Sequence, residues 1–228
     1  AHPRKRFREL ASGRVPVLHA VALAPLLLVL GFAVSWRVSP EVVALLFVYW
    51  ILTTLYSLSL KRVPLLDTLV LAGLYTLRIL VGAAAISVVP SVWLLSFSMF
   101  FFLSLALAKR HAELLEATLV PDSAPMPGRG YQAQDGAILI AQGSASGCAA
   151  VLVLALYIDS ATVREHYRHP EIIWLICPLV LYWVNKLWLN AQRREINDDP
   201  VVWALSNRVS RGLAAVGLVL LLLARWAP

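Results

Sequence analysis

Long apolar runs, each closed off by charged or turn-forming residues, recur along the whole chain. Seven of them are long enough to cross a bilayer: Val15–Trp36, Val42–Leu60, Val63–Val89, Ser91–Ala108, Ala137–Ile158, Ile172–Leu189 and Val209–Trp226. A hydrocarbon core of about 30 Å takes about 18–25 residues of α-helix. Pro25 and Pro178 fall inside spans, where neighbouring helices can re-satisfy the backbone groups a proline frees. The pattern predicts an all-α, polytopic membrane helix bundle forming one domain over residues 1–228. The longest break, Lys109 to Gly136, carries Pro121, Pro125, Pro127, Gly128 and Gly130. It is predicted as a loop whose first part continues a helix through Glu116. The break from Asn190 to Asn207 holds Asn197-Asp198-Asp199-Pro200, a helix stop and turn after which Pro200 restarts a helix.

Composition excludes a soluble globule. The chain is 60% hydrophobic and 14% charged, with mean hydropathy +0.74, and the apolar runs cover its length. A net charge of +7 suits nucleic acid in the abstract, but its distribution points to membrane topology instead. Bases gather in alternate loops: Arg4, Lys5, Arg6, Arg8 and Arg14, then Lys61 and Arg62, then Lys109, Arg110 and Arg129, then Arg193, Arg194 and Arg208. The intervening loops hold few. The positive-inside rule then sets the N-terminus in the cytoplasm and the C-terminus outside, as an odd number of spans requires. Cys148 and Cys177 lie within spans and imply neither a disulfide nor a metal site. No internal repeat supports a transporter built on inverted halves. Gly143-Ser-Ala-Ser-Gly147 has the spacing that lets two helices approach closely. No H-E-x-x-H, P-loop or Cys/His cluster occurs, and the last span has no Lys for a retinal Schiff base.

Candidate chemistry centres on the third span. Asp67 and Arg78 lie within it, and a charge at membrane depth costs about 2.5–3.5 kcal/mol on insertion scales, so it commonly marks a site. Asp67 has two readings: an interfacial acid that snorkels to water or pairs with Lys61 or Arg62, or a metal-binding carboxylate facing an inner cavity. A lone carboxylate is thin support for Mg²⁺, which takes one or two carboxylates together with substrate phosphates. Arg78 stands eleven residues on, about 16 Å deeper at 1.5 Å per residue. It therefore needs a partner other than Asp67: another carboxylate, backbone carbonyls or a bound phosphate. Tyr56, Lys61 and Arg62 stand at the mouth of this span, either as ordinary interface and inside-loop residues or as a phosphate clamp. Lys109, Arg110, His111 and Glu113 follow the fourth span, and Lys5 and Arg6 lie in the basic opening segment. These clusters face the same side as Asp67 and could line one polyanion pocket.

These residues resemble a known family. Tyr56-x-x-x-Leu60-Lys61-Arg62-x-x-x-x-Asp67, followed by Tyr75-x-x-Arg78-x-x-x-Gly82, is similar to the second conserved region of the UbiA superfamily of intramembrane prenyltransferases. The opening His2-Pro3-Arg-Lys5-Arg6-Phe-Arg8 through Gly13 resembles the segment after that family's first aspartate motif, N-D-x-x-D. Glu9 departs from it, standing where the family often has Pro. Ala108-Lys109-Arg110-His111-Ala-Glu113-Leu114 resembles the branch that makes decaprenylphosphoryl phosphoribose. Asn197-Asp198-Asp199-Pro200 resembles that branch and the forms fused to a haloacid-dehalogenase-like domain.

The resemblance implies nine transmembrane helices around a central cavity, of which seven are represented in this sequence. The missing pair and the first aspartate motif would precede Ala1, so a piece trimmed at its N-terminus and inactive alone is expected. It also implies a Mg²⁺-dependent transferase of the bacterial plasma membrane. Such an enzyme moves a prenyl group from a polyprenyl diphosphate to a small acceptor, or a phosphoribosyl group from phosphoribosyl diphosphate to a polyprenyl phosphate. Asp67 is then the metal-side acid. Lys61, Arg62, Lys109, Arg110, Lys5 and Arg6 bind substrate phosphate, and Tyr56 and Arg78 shape or polarise the pocket. The rival expectation is a non-enzymatic lipid-binding or transport protein with a basic inner face. Neither expectation includes nucleic acid.

Overall fold

A computed structural model describes residues 16–118, 129–196 and 199–226. Its elements are α1 (Val17–Val38), α2 (Pro40–Leu58), α3 (Leu66–Ala85), α4 (Val92–Ala117), α5 (Gly136–Ile158), α6 (Ala161–His166), α7 (Pro170–Ile173), α8 (Ile176–Gln192), α9 (Pro200–Ser206) and α10 (Arg208–Trp226). No strand occurs among the described residues. Among the described residues, seven helical stretches are long and apolar enough to span a membrane, with α7 and α8 together making the sixth, Pro170–Gln192. The protein is an all-α polytopic bundle, as the hydropathy pattern predicts. Large apolar side chains such as Val29, Leu152 and Leu218 are exposed along the helices, which lipid rather than water would cover.

Helix boundaries follow local chemistry. Ser39 caps α2 by accepting the Val42 amide on its hydroxyl at 3.2 Å, with Pro40 behind it in the first turn. Asp199 caps α9 in the same way, accepting from the Val201 amide at 2.9 Å before Pro200. Both use a small acceptor followed by proline at the first helical position. The continuation of α4 to Ala117 agrees with the predicted extension through Glu116.

The third span begins later than its apolar run. Val63 and Pro64 lie outside α3, and Leu65 adopts φ 63°. The Leu66 amide reaches back to the Pro64 carbonyl at 2.8 Å, a tight γ-turn of the strained, positive-φ kind. A leucine held there must be fixed by its surroundings.

The main core lies between α4, α5 and α8. Leu107, Leu139, Val184, Leu187 and Trp188 form it, and Tyr131 joins it from the segment before α5. The small-residue patch has the role its spacing suggests. A Cβ on Gly143 would stand 1.9 Å from the Trp188 ring, and one on Gly147 would stand 2.4 Å from Val184. The close approach also satisfies polar atoms: the Trp188 indole donates to Ser104 Oγ at 3.0 Å, and that hydroxyl donates to the Gly143 carbonyl at 2.7 Å. A smaller cluster of Ile158, Val163, Ile173 and Ala224 closes the opposite end of the bundle.

Candidate functional site

The start of α3, the end of α4, the start of α5 and the end of α8 share one end of the bundle, the end that the charge pattern assigns to the cytoplasm. A buried charged cluster is built there. Asp67 is the second residue of α3 and is 0% exposed. An acid in a first helical turn is favoured by the partial positive charge of that terminus. Its Oδ2 lies 2.8 Å from Arg110 Nε, with both side chains fully buried. Its Oδ1 accepts a 2.6 Å hydrogen bond from the Tyr131 hydroxyl. That hydroxyl in turn accepts from the Leu65 amide at 2.7 Å, so one phenol pins both the strained turn and the carboxylate. Burial, then the bond to Asp67, pushes the Tyr131 phenol well above its ordinary value, so it stays a donor.

Glu113 lies one turn beyond Arg110 on α4 and pairs with Arg110 Nη1. Arg129 approaches both carboxylates at greater distance, with Nε 3.6 Å from Glu113 and Nη1 3.9 Å from Asp67. Two acids and two guanidiniums therefore balance one another. Several buried atoms keep unused hydrogen-bonding capacity, among them Arg110 Nη2, Arg129 Nη1 and His111 Nδ1. The other ring nitrogen of His111 meets Gln192 Oε1 at 2.9 Å.

The predicted site residues divide between this cluster and other places. Asp67 and Arg110 meet directly. Lys61 is half-buried and Arg62 exposed on the adjoining turn, whose backbone lies against Gly130: a Cβ there would stand 2.7 Å from the Arg62 carbonyl oxygen. Lys109 points elsewhere. Its ammonium binds Asp199 Oδ2 at 2.8 Å, because successive side chains on a helix diverge by about 100°. Tyr56 is half-buried on the last turns of α2. Among the described residues Arg78 meets neither another carboxylate nor a backbone carbonyl. It donates from Nε and Nη2 to the Tyr49 hydroxyl at 3.1 and 2.6 Å. Its guanidinium carbon also stands 5.4 Å from the Tyr49 ring centre and 4.9 Å from that of Tyr75. Lys5 and Arg6 lie outside the described residues.

Sequence reading placed Glu113 with the cluster after the fourth span but gave it no role, and it did not assign Arg129 or Tyr131 to the site. The Arg110–Glu113 spacing was a usable signal, since residues three apart share a helix face. Nothing local marks Tyr131, whose partners are more than sixty residues away in the chain.

The Mg²⁺ that the resemblance implies would meet Asp67 already paired: Oδ1 accepts from the Tyr131 hydroxyl, and Oδ2 lies 2.8 Å from Arg110 Nε in an ion pair that makes no hydrogen bond. Among the described residues no three His, Cys, Asp or Glu converge. A cation at Asp67 would displace a buried guanidinium, and unpairing such a group costs about 3–5 kcal/mol.

Fold and site together define a polytopic α-helical membrane protein with a neutralised ionic cluster buried at one end of its helices. The UbiA prenyltransferase family matches residues 1–117, a stretch that holds Asp67, Arg110 and Glu113, and the chain belongs to that family. It is 36% identical to the uncharacterized protein y4nM of Sinorhizobium fredii over 95% of this chain and 42% of that protein. It is 32% identical to the nodulation protein NoeC of Azorhizobium caulinodans over 98% of this chain and 74% of that one. It is also 35% identical to the decaprenyl-phosphate phosphoribosyltransferase of Mycolicibacterium smegmatis over 50% of this chain and 36% of the relative. The chain thus spans less than half of y4nM and about three quarters of NoeC.

Proposed function

We propose that the protein is a membrane transferase that holds the phosphate end of a polyprenyl substrate at the Asp67–Arg110 cluster. Arg110 carries this proposal. Its guanidinium is 0% exposed, is oriented by Asp67 and Glu113, and keeps a buried Nη2 without a hydrogen-bond partner. Arginine presents donors in a fixed fork suited to phosphate oxygens. Lys61 and Arg62 add positive charge on the adjoining turn, and the apolar helices suit a long hydrocarbon chain. A lipid-binding protein without chemistry has less support, because the family match covers the cluster's α3 and α4 residues.

Two transfers fit. In one, a polyprenyl phosphate oxygen attacks the anomeric carbon of phosphoribosyl diphosphate; the new C–O bond replaces the bond to pyrophosphate, which departs. The relatives named for decaprenyl-phosphate phosphoribosyl transfer favour this transfer. In the other, a polyprenyl diphosphate loses pyrophosphate and its allylic carbon bonds to a small acceptor, which gives up a proton. No step in either is routed through a metal at Asp67. The deciding assay gives the full-length protein in lipid nanodiscs either labelled phosphoribosyl diphosphate with decaprenyl phosphate, or decaprenyl diphosphate with an aromatic acid. Labelled lipid from the first pair establishes phosphoribosyl transfer, and prenylated acid from the second establishes prenyl transfer. No product from either pair, with intact protein, refutes the transferase.

A further inference from the structure

Two arginines face the cluster, and they are held very differently. Arg110 is held close, with Nε 2.8 Å from Asp67 in an ion pair that makes no hydrogen bond, Nη1 hydrogen-bonded to Glu113, and no exposure. Arg129 is held loosely. Its contacts of 3.6 and 3.9 Å are well beyond the roughly 2.7–2.9 Å of a charge-assisted hydrogen bond. Its Nη1 is buried without a hydrogen-bond partner, yet the side chain is 24% exposed and so can be reached. Its backbone is nevertheless anchored. Gly130 sits against the Arg62 carbonyl at φ +70°, and Tyr131 is 1% exposed and bonded to Leu65 and Asp67. A fixed Cα with a weakly engaged guanidinium is the arrangement of a side chain that can change partners.

Glu113 is what it would leave. Its Oε2 serves both arginines, and its side chain is 27% exposed. An entering phosphate would bring two or more negative charges to a cluster whose acids and guanidiniums already balance, and would compete with Glu113 for the same cations.

We infer that Arg129 is a phosphate-binding residue and that Glu113 is the internal carboxylate it exchanges for the anionic group of the substrate beside Arg110. This inference rests on the phosphate site proposed above. Glu113 acts through Arg129, as a positioning residue that keeps the cation in place and sets a threshold for anion entry.

The test measures inorganic pyrophosphate binding by calorimetry, using the full chain in zwitterionic nanodiscs. Glu113→Gln releases Arg129 and is expected to tighten binding about three- to fivefold, the scale of one partly exposed ion pair. Arg129→Gln is expected to weaken binding about tenfold or more, with Arg129→Lys restoring part of it. A merely structural role would make every variant weaker, so the opposite signs are diagnostic. Should Arg129→Gln fail to fold, the sign of the Glu113→Gln effect decides alone. Arg164→Gln, at the opposite end of the bundle, is expected to change nothing. If the wild type binds pyrophosphate and Glu113→Gln leaves the affinity unchanged or lowers it, the exchange is refuted while the phosphate site stands. If the wild type binds none, both fall.

Discussion

The Tyr131 hydroxyl donates to Asp67 Oδ1 at 2.6 Å and joins residues that are 64 positions apart. The same oxygen accepts the Leu65 amide. One phenol therefore ties the segment before α5 to the start of α3.

Tyr131→Phe removes both bonds while keeping the ring in the core. The Leu65 amide then lacks its acceptor and Asp67 lacks a donor. A loss of about 1–3 kcal/mol is expected, read as a lower melting midpoint in detergent. Because the phenol is held protonated, alkali bears on the same point. A group whose pKa is raised on folding contributes stability that is complete below its unfolded value of about 10 and is lost as pH rises toward the higher folded one. The wild type should therefore lose more of its melting midpoint above about pH 10 than Tyr131→Phe does.

Asp67→Asn leaves the buried Arg110 with Glu113 as its remaining counter-charge. At least a tenfold drop in turnover is expected, the scale of losing one charged contact. A Mg²⁺ titration separates the two roles for the carboxylate. If it positions Arg110, maximal turnover falls while the Mg²⁺ concentration giving half of it stays the same. A requirement for much more Mg²⁺ would return Asp67 to the metal. In a double-mutant cycle with Arg110→Met, the pair should lose less stability than the sum of the single variants, because the two fully buried partners of the Asp67–Arg110 pair are then removed together.

Gly143→Ala places a methyl 1.9 Å from the Trp188 ring. The indole cannot yield without breaking its bond to Ser104, so a cost of about 1–3 kcal/mol is expected from overpacking. Gly73→Ala on α3, where a Cβ meets nothing within 4 Å, is the control. It should be neutral or stabilise by up to about 1 kcal/mol through helix propensity. Thermal melting of the two variants side by side checks both.

Asp199 links pH to the α4–α9 contact. Burial raises its carboxyl pKa, but the Lys109 ammonium and the Val201 amide outweigh burial and hold it below the usual range. The sign follows: stability from this tie is complete above about pH 4, the ordinary carboxylate value, and is lost as pH falls through the lowered one. Wild-type melting should drop on acidification more than that of Asp199→Asn. Equal acid limbs would show that the tie contributes nothing.

The helices were legible in the sequence because lipid imposes a simple rule: apolar side chains on every face and an internally satisfied backbone. The glycine pair at 143 and 147 was legible for a related reason, since only small residues admit the Trp188 indole and the Val184 side chain so close. The ionic cluster was half legible. Asp67 stood out as a charge in an apolar run, and Arg110 as part of a basic cluster. Their pairing did not, because it joins α3 to α4 through tertiary geometry that no spacing encodes. Lys109 and Arg110 looked equivalent as neighbours, and helical rotation sends one to Asp199 and the other to Asp67. Arg78, an arginine at membrane depth, calls for another carboxylate, backbone carbonyls or a bound phosphate. Its partner is a phenol on α2, since aromatic faces and a hydroxyl can accommodate a guanidinium without a negative charge.

Gly130 has an effect wider than its size. Its backbone turn leaves no room for a side chain beside the Arg62 carbonyl and Pro64. Any larger residue would push Arg129 and Tyr131 off together, and would release Leu65 with them. Two connections far apart in the chain are thereby bound to change in step: a mutation in either must be answered in the other, or both lose their shape.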